Sequence, residues 1–159
     1  MAGYGDEAGL TAWLSANGYT LPTGSPDAAV LLERGSVYID GTYASRFPGS
    51  PTGGAAQERE WPRTGAADRY GNALASDTVP QRVINATYHA AYLEAGSPGM
   101  LATTYTPGTQ KVLTEVKGIK WEVVGKADGS RAMVPISTAI EGILYPILTI
   151  EDLPAILVV

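Results

Sequence analysis

The chain has no cysteine, one histidine and one phenylalanine. Without cysteine it can build no disulfide, no thiolate metal cluster and no thiol nucleophile, and a reducing compartment suits it. A single histidine leaves any metal to the carboxylates, and no stretch has the residue spacing of a calcium loop. Long apolar runs are lacking too. The most apolar stretch, Ile136 to Val159, is broken by Glu141, Pro146, Glu151, Asp152 and Pro154, so it does not read as a membrane-spanning helix. Met1 to Leu10 has neither the basic start nor the apolar run of a secretory signal. Positive charge is scarce as well: 11 Lys and Arg stand against 16 Asp and Glu, for a formal charge of -5. Phosphate binding gains affinity through Lys and Arg contacts, so this balance disfavours an electrostatically driven nucleic-acid binder.

What is present suits a single globular unit with long excursions. The 159 residues have room for one domain, and an apolar share of 45% can supply its core. Glycine at 19 and proline at 11 predict substantial loop without disorder throughout. The expected fold is mainly α, a small bundle of roughly four helices with a β-hairpin and long Gly/Pro-rich loops. One domain covers residues 1–152, and residues 153–159 form an apolar C-terminal tail.

The first helix is predicted over Asp6 to Asn17, with Leu10, Trp13 and Leu14 on one face and Gly18 at its end. Ser25 as N-cap and Pro26 as first helical residue open the second, which runs from Asp27 to about Arg46. Ala28, Leu32, Ile39, Tyr43 and Phe47 share its apolar face, and Gly35 and Gly41 imply a kink or a close backbone contact. Phe47 to Ser76 reads as one long irregular loop, centred on Trp61-Pro62-Arg63-Thr64-Gly65. A tryptophan in such a loop anchors it to something apolar. Ser76 and Asp77 offer capping oxygens to a third helix, Gln81 to Ala95, which is rich in alanine and stops at Gly96. Residues 111–124 alternate in period two around Lys117-Gly118 and predict a hairpin carrying Trp121. A fourth helix is expected over Ser137 to Leu144, with Ile140, Ile143 and Leu144 facing inward.

The sequence shows no recognisable catalytic set. His89 lies within the third helix with no acid three or four residues away to orient it, so it reads as structural. Gly125-Lys126 lacks the upstream glycine of a phosphate loop, and no G-x-G-x-x-G is present. These readings predict a protein that is not an enzyme and needs no cofactor or metal. The densest basic group, Arg59, Arg63 and Arg69, is offset by Glu58, Glu60 and Asp68 and reads as a solvated mixed-charge loop. The surplus features are instead suited to contact: the loop holding Trp61, the hairpin holding Trp121, and the tail ending Ile156, Leu157, Val158 and Val159. The tail can add a strand to a partner or fold back on its own helices, and local pattern allows both.

Leu32-Glu33-Arg34, Tyr38-Ile39-Asp40, Arg46-Phe47, Trp61-Pro62-Arg63-Thr64-Gly65 and Ser76-Asp77-Thr78-Val79-Pro80-Gln81 occur in an order that resembles one family. It comprises the head–tail connector, or adaptor, proteins of tailed bacteriophages, some of which carry the label DnaT-like single-stranded DNA-binding protein. The resemblance implies a virion protein of the neck, made and assembled in the host cytoplasm. It implies a homo-oligomeric ring, typically dodecameric, with the portal above, a tail or head-completion protein below, and DNA passing through the lumen. Head-to-tail ring contacts need two different faces per subunit. Trp61, Pro62 and Arg63 on one side and Trp121 on the other are the expected faces, since tryptophan is frequent among interface anchors. The label borne by some members implies the alternative, a single-stranded DNA-binding accessory protein.

Overall fold

A computed structural model describes residues 3–102 and 137–149 of the chain. Four helices form its body: α1 (Glu7–Ala16), α2 (Ala28–Tyr43), α3 (Gln81–Gly96) and α4 (Thr138–Leu144). The expected hairpin at 111–124 and the tail at 153–159 lie outside the described residues. A two-stranded antiparallel ribbon does occur elsewhere, pairing β1 (Ser50–Pro51) with β2 (Arg63–Thr64). The fold is thus a mainly α small bundle with a short hairpin.

Each helix end has an identifiable cause. Asp6 caps α1 by accepting from the Gly9 amide at 2.7 Å. At the other end Gly18 takes φ +70°, Tyr19 N donates to Leu14 O and Gly18 N to Ser15 O, the paired bonds of a Schellman motif. The start of α2 differs from the expectation. Ser25 donates its hydroxyl to Pro22 O at 2.6 Å, so it serves the preceding turn, and Asp27 occupies the cap position without a side-chain bond. The helix then tightens into a 3₁₀ turn at Ala44–Arg46. The start of α3 differs likewise: Ser76 and Asp77 do not cap it, Pro80 holds the cap position, and the helix runs through Gly96 to Ser97. Ser137 caps α4, its hydroxyl oxygen 3.5 Å from the Ile140 amide.

α3 is central and buries residues around most of its circumference, Val83, Ala86, Tyr88, Ala90, Ala91 and Ala95 among them. Its alanines let α2 come close. At Gly35 an added Cβ would stand 2.9 Å from Thr87 O and 3.2 Å from Ala91 N, so this glycine marks a close backbone contact. Gly41 has no such neighbour and faces solvent. Two apolar clusters follow. One joins Tyr4, Ile39, Tyr43, Phe47 and Trp61 to Val83, Ala86, Ile140 and Leu144. The other packs Leu10 and Leu14 of α1 on Leu31, Leu32, Tyr88 and Ala91.

Residues 47–76 are far from structureless. Besides the ribbon they contain a 3₁₀ turn at Gly54–Ala56 and a bridge between Ala67 and Ala73. Trp61 is 2% exposed and meets Phe47 edge-on at 5.5 Å, so the loop is anchored to the chain's own core.

Candidate functional site

Trp61 and Arg63 do not stand free as interface anchors. Arg63 is buried; it donates from Nε to Pro48 O at 2.9 Å and from Nη2 to Gly49 O at 2.8 Å, and pairs with Glu60. Pro62 is half-buried, and its carbonyl accepts from the Thr52 amide and from Gln57 Nε2. Gly65 then turns at φ +71°. The W-P-R-T-G element is therefore a brace: the indole fills the core, the guanidinium ties down the Pro48 and Gly49 carbonyls just before the facing strand, and the glycine reverses the chain. Trp121, Ile156, Leu157, Val158 and Val159 lie outside the described residues.

Arg59 shares this arrangement. It pairs with Glu33 and, at 3.5 Å, with Asp40, both on α2. Asp40 also accepts from the Tyr4 hydroxyl at 2.6 Å, while the Tyr4 oxygen accepts from the Trp61 amide at 3.0 Å. The chain start, α2 and the loop meet at this one hydroxyl. Burial raises the Asp40 carboxyl above its ordinary value despite the facing guanidinium, because desolvation outweighs the ion pair at this depth. The same burial raises the Tyr4 hydroxyl, with Asp40 adding to the rise. The loop expected to be solvated and mixed in charge is thus a partly buried ionic network.

His89 sits in an aromatic cluster on the outer side of α1 and α3. Trp13 is perpendicular to it at 5.7 Å, and Tyr19 stacks on Tyr92 at 4.4 Å beside it. No hydrogen bond or carboxylate engages the imidazole among the described residues, and burial holds its pKa below the usual histidine value. Nor do three or more His, Cys, Asp or Glu gather into a metal-binding group among those residues. No described helix is long and apolar enough to cross a membrane.

The arginines divide into two sets. Arg34, Arg46, Arg59 and Arg63 are neutralised by Glu94, Glu141, Glu33 with Asp40, and Glu60. Arg69 and Arg82 have no carboxylate partner among the described residues. Arg82 leans on the last turn of α4 and Arg69 on the segment just after it. Arg82 donates to Ile143 O at 3.2 Å, and the Arg69 guanidinium lies 3.7 Å from the centre of the Tyr145 ring while its amide donates to Pro146 O. Tyr145 is 49% exposed and Tyr70, next to Arg69, is 76% exposed. An open cleft of about 260 Å³, lined by Ala67, Asp68, Arg69, Leu148 and Thr149, adjoins them. Sequence reasoning grouped Arg69 with Arg59 and Arg63. Its separate placement depends on the Ala67–Ala73 bridge, which local pattern does not announce.

The remaining basic residues, Lys111, Lys117, Lys120, Lys126 and Arg131, all belong to the stretch 103–136 outside the described residues. No curated protein and no solved structure matches the chain. Residues 2–153 do match a family profile described as "Putative DnaT-like ssDNA binding protein", and the chain belongs to that family.

Proposed function

We propose that the chain is a non-enzymatic structural subunit of a bacteriophage virion, a head–tail connector that forms a ring under the portal and joins capsid to tail around the DNA channel. The observation that carries this reading is the internal neutralisation of Arg34, Arg46, Arg59 and Arg63. It leaves an acidic, helical body suited to packing against protein while DNA slides past without strong phosphate contacts. The ordered motifs of the connector resemblance support the same reading. Electron microscopy of particles assembled with and without the chain tests it. Complete, DNA-tight virions formed in its absence would refute it. Removing residues 153–159 should leave the subunit folded and abolish its attachment to portal-bearing heads.

The second reading is a single-stranded DNA-binding accessory protein. The description of the matched family supports it more directly than it supports a connector. Its further support is the placement of cations: Arg69 and Arg82 lack carboxylate partners among the described residues, and Arg69 lies on the half-exposed Tyr145 ring. This reading predicts oligonucleotide affinity that falls steeply with salt. Absence of binding at high micromolar protein and low salt would end it.

A further inference from the structure

We propose that the surface formed by Arg69, Tyr70, Arg82 and Tyr145 is a docking site for single-stranded nucleic acid, an inference that rests on the second reading above. Non-sequence-specific single-strand sites combine cations that track the phosphates with aromatic faces on which bases stack. Both parts converge here. Arg69 and Arg82 are the described arginines that no carboxylate neutralises, and both reach the segment 143–146. Tyr70 presents 76% of its surface, and Tyr145 presents 49% with the Arg69 guanidinium over one face of its ring. Arg69 already lies on the Tyr145 ring, which orders both side chains before a ligand arrives.

The local charges set the strength of such a site. Asp68 adjoins Arg69, but its carboxylate accepts from the amides of Tyr70 and Asn72 and from Asn72 Nδ2, which holds it in the turn. Glu141 is paired with Arg46. With two cations free, the site contacts about two phosphates, for a slope of roughly -1.4 in log affinity against log salt. Affinity is then weak, and base stacking contributes much of it.

The test uses the full chain and a fluorescein-labelled oligothymidylate of about 16 nucleotides, long enough to cover one stacking module. Binding is followed by anisotropy over a range of salt, with circular dichroism verifying the fold of each variant. Tyr70→Ala, at a mostly exposed position, should weaken binding by about 5- to 140-fold. Arg69→Gln combined with Arg82→Gln should flatten the salt slope. If the native chain binds and these folded variants bind as tightly, the site is overturned while the second reading survives, and the lysines of 103–136 become the place to look. A native chain that binds at no salt concentration refutes the reading and the site together. Should the variants change the mass of the chain in solution and leave oligonucleotide affinity untouched, the surface is a contact between copies and the proposal falls.

Discussion

Gly35 and Gly41 lie in the same helix, and their replacement by alanine should shift stability in opposite directions. At Gly35 the new Cβ would stand 2.9 Å from Thr87 O, 3.2 Å from Ala91 N and 3.4 Å from Thr87 Cγ2. Two of these contacts are with backbone, which cannot rotate aside, so α2 and α3 would have to separate by a few tenths of an ångström. Overpacking of this kind costs about 1–3 kcal/mol, against a gain of about 1 kcal/mol for replacing glycine inside a helix. The net expectation is a loss of about 1 kcal/mol. At Gly41 no atom lies within 4 Å, so the helix gain of about 1 kcal/mol stands alone. The two variants should therefore differ by about 2 kcal/mol, or roughly 4–8 °C in melting temperature for a chain of this size. Urea denaturation followed by far-ultraviolet circular dichroism resolves such a gap. Equal stability of the two variants would refute the claim that α2 and α3 touch backbone to backbone at Gly35.

Other expectations follow from the loop brace and the aromatic cluster. Arg63→Ala strips the carbonyls of Pro48 and Gly49 of their donors and should cost about 2–4 kcal/mol by urea denaturation, with Arg63→Lys recovering only part because one ammonium cannot reproduce the fork. Tyr4→Phe removes the bridge between Asp40 and the Trp61 amide and should cost about 1–3 kcal/mol, with tryptophan emission moving to the red. His89 has a depressed pKa when folded and an ordinary value near 6.5 when unfolded, so below 6.5 the unfolded chain binds the extra proton. Stability from this residue is accordingly present above 6.5 and lost as pH falls toward the folded value. His89→Gln should remove that part of the pH dependence below about pH 6.5, and an unchanged urea midpoint profile would refute it.

The parts of the fold legible in the sequence are those in which local chemistry and tertiary packing agree. α1 is an example: Asp6, the Leu10 and Leu14 stripe and Gly18 each act where they are expected to. The caps of α2 and α3 differ from the sequence expectation because a hydroxyl or a turn can satisfy more than one local rule. Ser25 completes a turn with Pro22, and the Ser76 carbonyl accepts from the Thr52 hydroxyl across the loop at 2.7 Å. The loop itself hid most. Trp61 was legible as an anchor, but whether it serves the chain or a partner depends on Tyr4, Phe47 and α2, which lie far away in sequence. The surface around Tyr70 and Tyr145 was not legible at all, since it joins residues about seventy-five positions apart through a cation–π contact.

The carboxylate of Glu94 has a mechanical consequence. It is 2% exposed, pairs with Arg34 of α2 at 3.0 Å, and accepts from the amides of Gly99 at 2.8 Å and Leu101 at 3.3 Å. The backbone at Gly99 and Leu101 is thereby bolted to both α2 and α3. A load applied at residues 99–101 is delivered through this carboxylate into the α2–α3 pair.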